Sequence, residues 1–257
     1  MTMQHSSIRL DNVCVSFPLY HGGSRSLKKS LLFRGSGGRL ANDANDRIVV
    51  EALRGITLKL KAGDRVALIG SNGSGKTTLL RTMAGIYEPV AGDVESIGRI
   101  SPMFDIGLGI DSEISGYENI RLRGMLLGLS SEEIQARMDE IVEFSELGDY
   151  LELPVRTYSS GMMTRLTFAT ATCFKPEILL MDEWIMTGDA SFISKAQYRL
   201  EHFVEQASIL VLASHSLSIC RRFCNRGVWL DRGEVRADGD IEDVINAYTA
   251  NVAQVSS

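Results

Sequence analysis

Cysteine is scarce in this 257-residue chain, and the four present, Cys14, Cys173, Cys220 and Cys224, show no paired C-x-x-C spacing. That argues against a cysteine metal site. Cys220 and Cys224 stand one helical turn apart and read as reduced thiols in a reducing compartment. Long hydrophobic runs are missing as well: nothing approaches the roughly 20 apolar residues needed to cross a bilayer. Met1 to Ser7 is polar and lacks the pattern of a signal peptide. There is no excess of basic charge, since the formal net charge is −5, which argues against a nucleic-acid partner. No internal repeat or low-complexity segment is visible. What remains is a chain long enough to bury a substantial core, expected in the cytoplasm and able to reach a membrane only through a partner protein.

Against that plain background one pattern stands out. Gly70-Ser71-Asn72-Gly73-Ser74-Gly75-Lys76-Thr77-Thr78 fits G-x-x-x-x-G-K-[ST]. It follows Val66-Ala67-Leu68-Ile69, which predicts a buried strand, and leads into Thr78 to Ala84, which predicts a helix. Glycines in such a loop let backbone N–H groups wrap phosphates. The helix N-terminus adds roughly half a positive charge toward a β-phosphate. Lys76 adds a full charge at the β- and γ-phosphates, and Thr77 offers a hydroxyl to Mg²⁺. About a hundred residues further on, Ile178-Leu179-Leu180-Met181 predicts a second buried strand, ending in Asp182-Glu183. Asp182 would hold the same ion through its water shell. Glu183 would stand beside the γ-phosphate as base for the attacking water. These residues predict hydrolysis of ATP with Mg²⁺.

Many phosphate-loop proteins share those parts. Tyr158-Ser159-Ser160-Gly161-Met162, ahead of a helix expected to start near Met163, resembles the signature motif of ATP-binding cassette (ABC) ATPases. The resemblance implies a site shared between two copies of the chain, with Ser159, Ser160 and Gly161 facing a γ-phosphate bound by the other copy. It also implies roles for three further segments. Asp189, in Trp184-Ile185-Met186-Thr187-Gly188-Asp189, would be the aspartate of a dimer-contact loop. His215, in Ala213-Ser214-His215-Ser216 after the expected strand Ile209-Leu210-Val211-Leu212, would be the switch histidine at the γ-phosphate. Val13 to Tyr20 resembles the strand and loop carrying the aromatic residue that stacks on adenine, a role open to Phe17 and to Tyr20. His5, His21 and His202 have no comparable context.

Departures from the commonest cassette pattern narrow the resemblance. Tyr158, Ser160 and Met162 replace the usual Leu, Gly and Gln, and Asp105 occupies the position of the loop glutamine, from which the resemblance implies it would reach Mg²⁺ or the attacking water. Together with Met103 to Ile110, Ser115-Gly116-Tyr117-Glu118-Asn119-Ile120 and Gly239 to Tyr248, the chain resembles the ATPase subunits of bacterial polysaccharide exporters over residues 8–20 and 50–250. That family moves lipid-linked O-antigen, capsular polysaccharide and, in relatives, teichoic acid or galactan. The resemblance implies a homodimer at the cytoplasmic face of the bacterial inner membrane, bound to a separate multi-span membrane subunit and handling the lipid-linked glycan only indirectly. O-antigen is the cargo it favours. The added C-terminal carbohydrate-binding domain of some relatives is not expected, since the sequence stops at Ser257. A small-molecule transporter ATPase and a soluble, non-transport ABC ATPase are the competing readings.

The expected fold is α/β: a phosphate-loop ABC core with an N-terminal antiparallel β-subdomain and an inserted helical subdomain. We read residues 1–257 as one nucleotide-binding domain, with 1–104 and 165–257 forming the β-subdomain and core and 105–164 the helical subdomain. In the latter, Ser130-Ser131-Glu132-Glu133 predicts a capping box, followed by Ile134, Met138, Ile141 and Val142 at helical spacing. Phe104, Ile106, Leu108 and Ile110 are candidates either for the floor of the groove that accepts the membrane subunit or for plain core. The stretch from His21 to Arg47 carries six basic residues against two acids. It reads either as a short amphipathic helix at anionic lipid or as a solvated insertion, with a flexible loop over Gly35 to Asp46.

Overall fold

A computed structural model describes residues 6–18, 40–42, 48–104, 107, 109–183 and 190–255. In chain order the elements are β1 (Ser7–Pro18), β2 (Leu40–Asn42), β3 (Ile48–Lys61), β4 (Arg65–Ile69), α1 (Lys76–Met83), β5 (Ala91–Ile97) and β6 (Ile100–Met103). Then come α2 (Gly116–Leu126), α3 (Ser131–Ser145), α4 (Ser160–Thr172), β7 (Ile178–Asp182), α5 (Ala190–Gln206) and β8 (Ile209–Ala213). The chain closes with α6 (Leu217–Phe223), β9 (Arg226–Asp231), β10 (Glu234–Asp240) and α7 (Ile241–Val255). Two compact units result, one of Met1–Ile97 with Val211–Ser257, the other of Gly98–Leu210. The helical subdomain expected over 105–164 falls inside the second unit, which also holds β6, β7 and α5.

In the first unit an antiparallel sheet runs in the order β2-β3-β1-β5. Along β3 the side chains Ile56, Leu58 and Leu60 are buried while Thr57, Lys59 and Lys61 are exposed, the alternation of a strand with one wet face. Phase is broken at Gly55, opposite a register shift in β1, where the Gly55 N–H meets Cys14 Sγ at 3.2 Å. Expected loop over Gly35 to Asp46 is corrected at its centre: Leu40–Asn42 is a strand paired antiparallel to β3, Asn42 opposite Ile48. Backbone pairing supplies what the short segment's composition does not advertise. The rest of the 21–47 stretch, residues 21–39 and 43–47, lies outside the described residues.

β4 pairs parallel with β9, and β9 antiparallel with β10. Val66 to Ile69 are all buried, the unbroken apolar run of a parallel strand covered on both faces. Asp231 pairs with Glu234 across Arg232 and Gly233, both at positive φ, 51° and 80°, as a two-residue hairpin turn requires.

The second unit is mainly helical, with β6 and β7 parallel. α3 buries Ile134, Met138, Ile141 and Phe144, and Val142 is half-buried. Its capping box is present: Glu133 N–H donates to Ser130 Oγ at 3.2 Å and Ser130 N–H to Glu133 Oε2 at 2.7 Å. A second box, Ser115 with Glu118, starts α2. In each box the backbone N–H of the serine, followed by its hydroxyl, holds the glutamate below the usual carboxylate range. This contribution is therefore complete above the ordinary carboxylate pKa and is lost as pH falls through the lower folded value. Buried threonines in α4 are satisfied within the helix, Thr170 donating to Leu166 O and Thr172 to Phe168 O, each at 2.8 Å. Of the proposed groove residues, Phe104 is buried and Ile110 half-buried; Ile106 and Leu108 lie outside the described residues. No described helix is long and apolar enough to cross a membrane.

Substituting Ser130→Ala removes one cap acceptor and is expected to cost about 1 kcal/mol. Thermal unfolding should show a melting temperature lower by roughly 2–4 °C.

Candidate functional site

The first unit carries the phosphate loop. β4 ends at Ile69 and α1 begins at Lys76, so the glycine-serine segment is the whole connection. The helix starts two residues before the expected Thr78, and Lys76 lies in its first turn. Gly75, its N-cap, is left-handed (φ 113°), makes no side-chain cap, and no acid stands in the first turn. No capping side chain and no acid thus competes for the helix N-terminus, the end that favours an anion. Lys76 is buried, its ammonium donating to Gly70 O at 2.7 Å and Ser71 O at 3.2 Å. It braces the loop with a full positive charge inside it. Ser71, Asn72, Gly73 and Thr77 are exposed, Thr78 is half-buried, and Ser74 is buried. Ser74 Oγ has no hydrogen-bond partner among the described residues. An exposed loop over Ser71 to Gly73, a buried ammonium and a buried hydroxyl suit a polyphosphate, so the residues fit a nucleotide.

What holds the loop was not legible beforehand. Gly233 N–H donates to Ser74 O at 2.8 Å, and Arg54 N–H to Gly233 O at 2.8 Å. The β9–β10 turn therefore bridges β3 and the loop. A Cβ at Gly75 would lie 2.9 Å from Ala52 O, closer than real Cβ atoms come. The signal in the sequence was Asp231-Arg232-Gly233-Glu234, a hairpin turn between apolar runs.

Phe17, at the end of β1, is half-buried and meets Tyr87 edge-on, ring centroids 5.0 Å apart at 73°. Arg81 donates to the Tyr87 hydroxyl at 3.0 Å. Tyr87 was missed, because its contact to Phe17 spans seventy positions of sequence. Tyr20 lies outside the described residues, as do Asp105 and Asp189. His215 is exposed, two residues beyond the end of β8.

In the second unit, Asp182 ends β7 half-buried, and Glu183 follows it exposed in the left-handed region at φ 72°. Such strain in a non-glycine residue is a feature of functional positions. The serine-glycine segment opens α4, but earlier than expected: the helix starts at Ser160, not near Met163, with Ser159 as N-cap accepting from Met162 N–H. The first serine supplies a cap that the glycine had masked. Ser159 and Ser160 are exposed and Gly161 half-buried. Among the described residues a Cβ at Gly161 would meet only Ser159 Oγ, at 3.9 Å, so their packing does not demand glycine there. Tyr158, ahead of the helix, donates to Tyr150 O at 2.7 Å, and burial raises its phenol pKa. Its hydroxyl occupies the space that a side chain at Gly116 would need.

Comparison with known proteins gives concordant results. The sequence profile of the family described as ABC transporter matches residues 53–186. The chain is 46% identical to an O-antigen export system ATP-binding protein of Yersinia enterocolitica, over 89% of this chain and 95% of that one. It is 44% identical to an O-antigen export system ATP-binding protein of Myxococcus xanthus, covering 88% of this chain but 51% of that longer relative. A solved structure, the ATP-binding subunit of an ABC transporter, shares the fold with a TM-score of 0.66 at 22% identity, covering 94% of this chain and 93% of the other.

Gly75→Ala is expected to raise the Kd for a fluorescent ATP analogue at least about tenfold, because the loop must move off Ala52 O, a shift that misplaces its N–H groups. Fluorescence titration checks it.

Proposed function

The chain belongs to the ABC transporter family, and we propose that it is the ATP-hydrolysing subunit of an exporter of lipid-linked polysaccharide, O-antigen, across the bacterial inner membrane. The observation that carries this reading is the likeness, over nearly the whole of both chains, to an O-antigen export ATP-binding protein. Nucleotide binding and ATPase activity follow from the family.

In this reading the N–H groups of Gly70 to Thr78 bind the phosphates and Lys76 neutralises the β- and γ-oxygens. Phe17 stacks on the base, a contact worth about 1–3 kcal/mol. Thr77, Asp182 and Asp105 would hold Mg²⁺. That ion, when bound, withdraws charge from the phosphate oxygens. Glu183 accepts the proton of the attacking water, and His215 orients the γ-phosphate. Ser159, Ser160 and Gly161 of a second copy close the site, with Asp189 at the contact between copies. The room at Gly161 among the described residues supports this part, since a second copy is a neighbour that would need glycine there. Closure of two copies would drive a multi-span membrane subunit from its cytoplasmic face, and the glycan would be handled there.

Affinity purification from native membranes in mild detergent, with mass spectrometry of protein and lipid, tests the whole. A stoichiometric multi-span subunit with lipid-linked glycan supports it; recovery from the soluble fraction without a membrane partner refutes the exporter reading. Two substitutions test the chemistry. Glu183→Gln should bind ATP normally and hydrolyse about 10²–10⁴-fold more slowly, accumulating as a dimer in size-exclusion chromatography with ATP. Gly161→Ala should melt and bind nucleotide as the parent does yet lose most turnover; full turnover would remove the signature segment from the site.

A further inference from the structure

Among the described residues outside glycine, the left-handed region is adopted by Asn12, Glu146, Glu183 and Arg232. Asn12 lies at the register shift in β1, Arg232 in the β9–β10 turn, and Glu183 in the site already described. Glu146 is left without an explanation. It is the C-cap of α3, at φ 55° and ψ 31°, a position where glycine is the low-strain choice. What glycine lacks is the carboxylate, and here both oxygens are used. Oε1 accepts from Lys195 Nζ at 2.7 Å and Oε2 from Arg165 Nη1 at 2.9 Å.

The two donors come from different helices. Arg165 is on α4, one turn beyond Gly161, and Lys195 is in the second turn of α5. Lys195 also donates to Phe144 O at 3.3 Å, in the last turn of α3. The Arg165 guanidinium lies 4.9 Å over the ring of Phe192, at the start of α5. Beneath it, Phe144, Phe168 and Phe192, one from each of the three helices, pack with centroids 5.6 to 6.1 Å apart. One carboxylate is thus the meeting point of the end of α3 and the second turns of α4 and α5.

We propose that Glu146 is a positioning residue for ATP hydrolysis, its carboxylate fixing the first turn of α4, which carries Ser160 and Gly161, against α5. The proposal rests on the reading of the serine-glycine segment given above. The glutamate side chain is 49% exposed, so its ion pairs are screened and add little to stability. Their effect is on orientation, which two short, divergent hydrogen bonds constrain even where their net energy is small. The Lys195 hydrogen bond chiefly, then the charges of Lys195 and Arg165, hold the carboxyl below its usual range, so at neutral pH it is ionised and both bonds are charge-assisted.

Glu146→Gly separates orientation from stability, since it relieves backbone strain while deleting the carboxylate. In the full chain, the variant is expected to melt no lower than the parent. Amide hydrogen exchange over residues 162–166 should be faster by about tenfold or more, and kcat for ATP should fall about 10- to 100-fold with little change in KM. Glu146→Gln should move both readouts the same way, and Lys195→Arg should stay near the parent where Lys195→Met does not. Parental exchange and parental kcat in Glu146→Gly overturn the proposal. So does a lower melting temperature with protection lost evenly across the second unit, which assigns the residue to stability alone. If the parent itself shows no turnover that Lys76→Ala abolishes, the ATPase reading is what fails, and local exchange decides the role of Glu146.

Discussion

The phosphate loop depends on a helix that begins without a cap. α2, α3 and α4 each start on a serine whose hydroxyl accepts a backbone N–H, whereas α1 starts on Gly75 with no side-chain acceptor and no acid in its first turn. Forgoing such a cap costs about 1 kcal/mol. The cost is borne by Leu79, Leu80 and Met83, which are all but fully buried and each contribute about 1.5–3 kcal/mol. A helix anchored from its far side can leave its N–H groups to a ligand. Because Gly75 itself contributes no side chain, the loop must be held from behind, and β3 and the β9–β10 turn do this through Ala52 and Gly233. Lys76 completes the brace from within, binding the carbonyls of Gly70 and Ser71.

The second unit solves the opposite problem. Its serine-glycine helix start is capped by Ser159 and tied at Arg165. The segment ahead of it is pinned by Tyr158 to Tyr150 O. Positive charge in this unit is compensated at several points, Arg199 with Glu140 at 2.7 Å and Arg99 with Glu133 at 3.7 Å. These pairs are partly exposed and are worth little singly. They tie α3 to α5 and to the residue ahead of β6.

How much of this was readable in advance follows the range of the interaction. The loop Gly70 to Thr78, the strands at Val66, Ile178 and Ile209, and the capping box at Ser130 are local: spacing and residue type suffice to find them. The start of α4 was misread because serine and glycine send conflicting local signals, a cap from Ser159 and a break from Gly161, and the cap prevailed. Strand β2 was unreadable since three residues between polar neighbours carry no period, and only pairing with β3 defines them. Tyr87 beside Phe17 and Gly233 behind Ser74 depend on contacts between distant positions that no local pattern encodes. Glu146 is a further case, for a glutamate after a helix reads as ordinary solvent charge until its φ is known.

Tyr158 shows how such distance hides a relation between two visible features. In the sequence it is a departure from the leucine usual at that position of the signature, and Gly116 is a separate detail of another motif. In the fold they are one feature. The tyrosine hydroxyl fills the volume that a Cβ at position 116 would need, Leu151 stands 2.8 Å from the same point, and the Ser115 capping box sets the backbone of Gly116 beside them. A larger residue before α4 is accommodated by a smaller one at the start of α2. A tyrosine in place of leucine brings a polar hydroxyl into a partly buried place, and the Tyr150 carbonyl satisfies it, so the exchange conserves packing without leaving an unpaired group. The departure at position 158 therefore concerns how the serine-glycine segment is held, and it leaves the exposed faces of Ser159 and Ser160 unchanged.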